Sequence, residues 1–341
     1  MSAVGEGRTL VVLVETDSSG ATEVSQEAVT FARRLAAPTG DEVHAVLVGP
    51  VPEDVAQTVL AQLGRLGVAA VHHGRDERLE RYAGAAWAAA LVDVVRDRSG
   101  AALVAAGSPR GNEILAHAAT RLGVAMAANV VEVEGLDPLV VRRQVVGGSA
   151  LEQMRLQDSV AVLSVAGHAC DPAPAEQPTR PELAAYSPTL GAGDLRAQVA
   201  RTEPAAAEAT SALTGARVVV GAGRGVGSAN GFGDLLELTE LLGGALGVSR
   251  VVTGLGWRPH HEQVGQTGSR ISPDLYLACG ISGAIQHWAG CQSAKTIIAI
   301  NTDPDAPMVT KADYAVIGDL HEIVPALVEE IQSRLRTGVA S

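Results

Sequence analysis

From Arg8 onwards, short apolar runs alternate with stretches of helical periodicity, and no other feature constrains the chain as much. Runs at 9–14, 42–48, 68–72 and 101–105 read as strands, and 23–35, 53–66 and 82–98 as helices, the second closed by Gly67. Parallel neighbours need a crossover, and a helix supplies it, so this order predicts a mainly parallel sheet covered by helices on both faces. After a helix at 112–122 the pattern changes. Runs at 129–133, 139–145 and 160–165 leave no room for helices between them and are expected as antiparallel edges of the same sheet.

Residues 171–204 hold six of the sixteen prolines, a composition that suits an extended crossover better than a core. Leu195, Ala197 and Val199 alternate within it and allow a strand that returns to the first sheet. The expected division is a first domain at 1–203 and a second at 214–341, two domains being what 341 residues accommodate. The second is also expected to be α/β and mainly parallel, with strands at 216–220, 248–252, 275–279, 295–300 and 314–317 and helices at 234–246 and 321–335.

Gly221 to Gly227 follow the first of those strands. A dinucleotide fingerprint in the register 221, 223, 226 needs glycine or alanine at the last position; Val226 stands there, so that reading fails. What remains is a glycine-rich strand-to-helix turn carrying Arg224. A guanidinium can pair with two phosphate oxygens at once, and the alternative is an exposed turn arginine.

The chemistry concentrates in 263–288, QVGQTGSRISPDLYLACGISGAIQHW. Two small-residue loops, 264–268 and 280–283, flank the apolar run 275–279, which reads as a buried strand turning into a helix beyond its carboxyl end. Ser282 is expected to cap that helix and Gly283 to admit a close backbone approach. The N–H groups of Gly283, Ala284 and Ile285 are then available to an anion. His287 lies one turn on, where an imidazole can bond a carbonyl-like acceptor, and Gln266 and Thr267 add neutral donors and acceptors. The turn at 106–112 also suits either a phosphate or a plain N-cap by Ser108 or Asn112. Asp303 and Asp305, beside Pro304 and Pro307, read as solvated carboxylates of a rigid turn. His72, His73 and His117 read as packing or surface histidines rather than metal ligands.

A net charge of −12 without a basic tract argues against nucleic acid as a partner. Cys170, Cys279 and Cys291 form no CxxC or metal pattern and are expected as reduced, buried thiols. No apolar span is long enough for membrane insertion, and the amino terminus resembles neither an export nor an organelle signal, so a cytoplasmic location is expected.

VVVGAGRG, VGQTG, PDLY, GISGAIQH and AINTDPDAP together resemble the FAD domain of the electron transfer flavoprotein alpha subunit, over about residues 215–327. The resemblance implies FAD contacts at Arg224, Ser249, Arg250, Gln263, Val264, Gly265, Gln266, Thr267, Ser282, Gly283, Ala284, Ile285, Gln286, His287, Asn301, Asp319 and Leu320. Among these, it implies Arg224 on the pyrophosphate, Asn301, Asp319 and Leu320 at the adenosine end, the Thr267 hydroxyl near flavin N5 and His287 near O2. Arg250 would lie beside the ring, where a fixed cation favours the reduced anion. Trp257 is expected only as a core or rim aromatic. In this family the amino-terminal domain packs on a beta subunit, which carries AMP or a second FAD. Departures at 229–232, 254–256 and Thr302, where lysine is common, bear on the entrance and on redox potential.

The leading expectation is therefore an electron carrier, not an enzyme, working as a heterodimer. It would move electrons from flavin dehydrogenases, such as those of fatty acid beta-oxidation, to a quinone oxidoreductase, with electron bifurcation as a variant. The alternatives are a flavin-dependent enzyme with its own substrate and a nucleotide-binding regulatory module built on the first domain. The site words contain no nucleophile with a base and no metal set, which disfavours the enzyme.

Overall fold

The computed structural model describes residues 8–148, 150–201 and 213–337. The chain divides into two compact units, Met1–Val145 with Ala150–Arg201, and Val146–Ser149 with Thr202–Ser341. Both are α/β units built on largely parallel sheets, the class expected from the alternation.

In the first unit, β1 (Thr9–Leu13), β4 (Glu42–Val48), β5 (Ala70–Gly74), β6 (Gly100–Ala106), β7 (Met126–Leu136), β8 (Leu139–Val145), β9 (Ala150–Leu156), β10 (Ala161–Val165) and β11 (Leu183–Tyr186) make one sheet. Its order is β11-β5-β4-β1-β6-β10-β7-β8-β9, and a separate two-stranded ribbon pairs β2 (Thr16–Asp17) with β3 (Gly20–Ala21). Leu10 and Val12 enter one core with helices α1 (Glu23–Ala36) and α2 (Glu53–Arg65). Val11 and Leu13 enter the other with α3 (Gly84–Asp97) and α4 (Pro109–Leu122). Burial on both faces is why these strands read as unbroken apolar runs.

Three expectations need correction here. β10 is no antiparallel edge: it lies between β6 and β7 and is parallel to both, because Val162, Leu163 and Val165 are buried on both faces. β9 went unpredicted, since its residues are mostly exposed and carry no apolar alternation. The returning strand is β11, paired parallel with β5, whereas Leu195 closes a 3₁₀ turn at Ala192–Leu195.

The turn before α4 is a cap. Ser108 Oγ accepts the Gly111 N–H at 2.8 Å and donates to the Glu15 carboxyl, whose pKa is raised by burial. The Ser108 hydroxyl is thus engaged on both sides within the chain, as the cap reading requires. His72 and His73 are buried; His72 Nε2 lies 3.1 Å from His44 Nδ1, and His73 Nε2 lies 2.8 Å from the Gly49 carbonyl. No group of His, Cys, Asp and Glu that could hold a metal occurs among the described residues. Nor is any described helix long and apolar enough to cross a membrane.

The second unit is a five-stranded parallel sheet, β12 (Val218–Ala222), β13 (Ala245–Val248), β14 (Leu275–Cys279), β15 (Thr296–Asn301) and β16 (Tyr314–Ile317), in the order β13-β12-β14-β15-β16. Helix α5 (Gly233–Leu241) stops earlier than expected, because Gly243 takes a left-handed φ of 60° just past its end. The chain therefore re-enters the sheet at β13, and 249–252 is not strand. Ser249 is extended and begins a short helix, α6 (Arg250–Gly254), which places Arg250 at the first helical position. Helices α7 (Ile285–Cys291) and α8 (Pro307–Lys311) lie toward the core of Val219, Tyr276 and Ala299. Helix α9 (Leu320–Thr337) and α5 cover the opposite core of Val220, Leu277 and Ile300, against which Trp257 also packs.

Candidate functional site

The strand order reverses at β12, with β13 on one side and β14 on the other, and such a reversal opens a crevice beyond the carboxyl ends of the strands. The crevice floor is made by two glycine turns laid on each other. Gly223 donates its N–H to the Cys279 carbonyl at 2.9 Å, and Gly225 donates to the Gly280 carbonyl at 3.1 Å. A Cβ on Gly225 would come within 2.7 Å of Gly280 Cα, so backbone meets backbone here. This explains the glycines without a pyrophosphate fingerprint: Val226 turns away into the core, 2 % exposed, and the glycines serve turn-to-turn contact.

The wall beyond β13 and β14 is the 264–268 loop seated on α7. The Gln266 N–H meets the Gln286 carbonyl at 2.7 Å, and a Cβ on Gly290 would fall 2.4 Å from the nitrogen of Gly265 (φ 145°), so glycine at 290 lets the loop sit on the helix. Gln263 is buried and braces this loop: its Oε1 accepts from the Thr253 hydroxyl at 2.8 Å and its Nε2 donates to the Thr267 hydroxyl at 3.1 Å. On the far side, Asn301 Nδ2 donates to the Ile281 carbonyl at 2.9 Å, and its Oδ1 accepts the Asp303 N–H at 3.1 Å. Asp319 Oδ1 accepts the His321 N–H at 2.9 Å at the start of α9.

Together these turns enclose a cavity of about 830 Å³. Arg224, Ser249, Arg250, Gln263, Val264, Gly265, Gln266, Thr267, Ser282, Gly283, Ala284, Gln286, His287, Asn301, Asp319 and Leu320 all line it. Ile285 does not; it is 72 % exposed, because the first residue of α7 points away from the sheet. Ser282 is not the cap of α7 either. Ala284 occupies that position with no side-chain bond, while the Ser282 carbonyl accepts the Met308 N–H at 3.1 Å. Gly283 (φ 80°) lies against the same Met308 backbone, the close approach expected of it.

Nine further residues, among them Val251, Thr302 and Asp303, line the cavity without having been singled out as site residues. Asp303 read as a solvated turn carboxylate because a Pro-rich turn says nothing of which wall it joins.

His287 is the least ordinary group in the wall. Its Nε2 lies 2.7 Å from the Tyr276 hydroxyl, and its Nδ1 is buried with no hydrogen-bond partner. Burial pushes its pKa down to about 4, opposed by the Val264 backbone, which acts on the ring without meeting hydrogen-bond geometry, so the ring is neutral at neutral pH. It offers the cavity a dipole rather than a cation, and the cations there are the exposed Arg224 and Arg250. Cys279 and Cys291, pushed up to about 12 by burial, are inert thiols.

The depressed histidine has a consequence for stability. Unfolded, His287 titrates at 6.5; folded, at about 4, so the unfolded chain binds the extra proton between those values. Stability is complete above pH 6.5 and falls as pH drops toward 4, by roughly 3 kcal/mol for this group. His72, lowered to about 4 by burial and by His44, acts in the same direction in the first unit. Urea unfolding followed from pH 7 to pH 4 should show the loss in the second unit, and His287→Gln should flatten the slope. An unflattened slope would assign the proton uptake elsewhere.

Comparison with known proteins bears on the whole chain. The family described as "Electron transfer flavoprotein domain" matches residues 9–190, and "Electron transfer flavoprotein FAD-binding domain" matches residues 212–292. The chain is 34% identical over 325 residues to the "Electron transfer flavoprotein subunit alpha" of Mycobacterium leprae, covering 95% of this chain and 98% of that protein. It is 35% identical over 339 residues to the Mycobacterium tuberculosis protein of the same description (95% and 98% covered), and 31% identical over 328 residues to that of Bacillus subtilis (96% and 98% covered).

Proposed function

The chain belongs to the electron transfer flavoprotein alpha-subunit family, and from that premise we propose that it binds one FAD in the second unit's cavity and carries electrons as a heterodimer with a beta subunit. The observation that carries this reading is the cavity itself. Its volume of about 830 Å³ falls in the range of roughly 300–1,000 Å³ common for cofactor sites, at the carboxyl ends of parallel strands. The residues fit the cofactor. An orphaned buried ring nitrogen on His287 can be satisfied by a ligand acceptor, and the glycine turns let a ligand approach main-chain N–H groups.

When bound, FAD supplies the redox chemistry. The protein's residues would divide the rest of the work. Arg224 would pair with the pyrophosphate, and Asn301, Asp319 and Leu320 would hold the adenosine end. Ser249 and the backbone of 282–284 would add donors along the linker. Arg250, Gln266, Thr267 and neutral His287 would surround the ring, with the Arg250 charge and the neutral dipoles favouring added negative charge. No pair of these groups is arranged as nucleophile and base, which favours a carrier over an enzyme with a substrate of its own.

Flavin dehydrogenases, including those acting on acyl-CoA, would be the donors and a quinone oxidoreductase the acceptor, in the cytoplasm. The test is co-expression with a beta subunit from the same genome, followed by an absorption spectrum and a count of bound nucleotides. A yellow complex is expected with one FAD per alpha chain and AMP or a second FAD in the partner. It should pass electrons only when donor dehydrogenase and terminal acceptor are both present. A complex that stays colourless at saturating FAD, or that consumes a substrate unaided, would refute the reading.

A further inference from the structure

Tyr276 sits in the middle of β14, fully buried, and does not line the cavity. We propose that it is a positioning residue: its hydroxyl donates to His287 Nε2 and thereby holds the imidazole as the Nδ1–H tautomer, in one ring plane, before any cofactor arrives.

The argument starts from the phenol's single proton. The Tyr276 hydroxyl lies 2.7 Å from His287 Nε2, with the two rings at 30° and their centroids 6.1 Å apart. A buried phenol keeps its proton, since desolvation raises its pKa well above the ordinary value, and that proton needs an acceptor. The neighbouring thiols are engaged elsewhere, Cys279 with the Leu277 carbonyl at 3.9 Å and Cys291 with the Trp288 carbonyl at 3.7 Å. The Nε2 lone pair is the acceptor that remains. A neutral imidazole accepting at Nε2 must carry its proton on Nδ1, the nitrogen without a partner.

β12 makes room for this arrangement. A Cβ on Gly221 would fall on the Tyr276 phenol, its hydroxyl included, so glycine there keeps the hydroxyl where it can reach the histidine. The consequence for the site is that His287 is presented as a hydrogen-bond donor through Nδ1 and not as a cation. A protonated ring would set Nε2–H against the phenol and strand the phenolic proton. This inference rests on the cofactor reading only for what the donor is for; the tautomer itself is a property of the chain.

The full-length chain labelled with ¹⁵N in its histidine rings decides it, His287→Asn identifying the signal. The expected wild-type spectrum has a protonated Nδ1 and an unprotonated Nε2 at position 287. In Tyr276→Phe, which removes one oxygen, the ring should shift mainly to Nε2–H, and FAD affinity should fall about tenfold. Three results would overturn the proposal: Nε2–H in the wild-type chain, an unchanged tautomer in the phenylalanine variant, or unchanged FAD affinity in that variant. The wild-type spectrum stands even if the variant fails to fold. Should the chain bind no flavin, the cofactor reading falls while the tautomer measurement still decides this one.

Discussion

Gly280→Ala is expected to lower FAD affinity by at least a hundredfold and to destabilise the second unit by about 2–5 kcal/mol. Gly280 has φ 62°, a left-handed conformation that costs a residue with a Cβ about 1–2 kcal/mol. The added carbon would also lie 2.7 Å from Leu320 Cδ2 and 2.8 Å from Gly225 Cα. Leu320 is 6 % exposed in the core beneath α9, and Gly225 is tied to Gly280 by the 3.1 Å hydrogen bond, so neither can yield without moving the cavity floor. Arg224 and Leu320 both line the cavity and would move with it. Gly227→Ala is the control. It too has a left-handed φ, 82°, but nothing lies within 4 Å of its Cβ position, so it should lose stability and leave flavin binding nearly intact. FAD titrations of the two variants, followed by flavin fluorescence and thermal unfolding, separate strain from collision. Affinity in Gly280→Ala within threefold of the wild type would mean that the turn-to-turn contact does not shape the site.

Removing the two arginines should have different effects. Arg224→Ala is expected to cost about ten- to a hundredfold in FAD affinity, the worth of a charge-assisted pair with phosphate, and to leave the flavin potential close to the wild-type value. Arg250→Ala is expected to make the potential of the first electron more negative by about 40–130 mV, the equivalent of a charge interaction of about 1–3 kcal/mol. The sign follows from charge: a fixed cation stabilises a ring that gains negative charge, and a neutral His287 would supply no charge in its place. Spectroelectrochemical titration of the assembled heterodimer measures both variants. A potential in Arg250→Ala equal to the wild type would remove that residue from the ring's surroundings, and loss of binding without change of potential would move it to the phosphates.

Much of the site was legible because its information is local. A glycine that must admit a neighbouring backbone, an arginine on a turn, and polar residues just beyond a strand are each visible as residue types at a given offset, which is why Arg224, Gln266, Gly283 and His287 could be named. The failures are equally local in origin. Ser282 reads as the cap of the following helix, but Ala284 takes that position, two residues on, so α7 starts at Ile285 and turns that side chain outward. Arg250 read as a strand residue because Val248, Val251 and Val252 are β-formers. The stop at Gly243 moved the strand upstream and left those valines to a short helix. Tyr276 was hidden in an apolar run, although a phenol inside a buried strand usually finds a hydrogen-bond partner, and that tendency was the available signal.

The order of apolar runs and helices determined by itself that the chain forms α/β units with parallel sheets, because crossover connections and two-sided burial admit few other solutions. It also determined which short words of sequence stand at strand ends, where ligands bind. Only the tertiary structure decided that β10 is interior and β11 joins β5, since strand neighbours are chosen by packing among segments far apart in the chain. It alone brought Tyr276 to His287 and Gly225 to Gly280. Contacts between separate turns of the fold depend on how β12 and β14 lie side by side, and no residue pattern within either strand records that register.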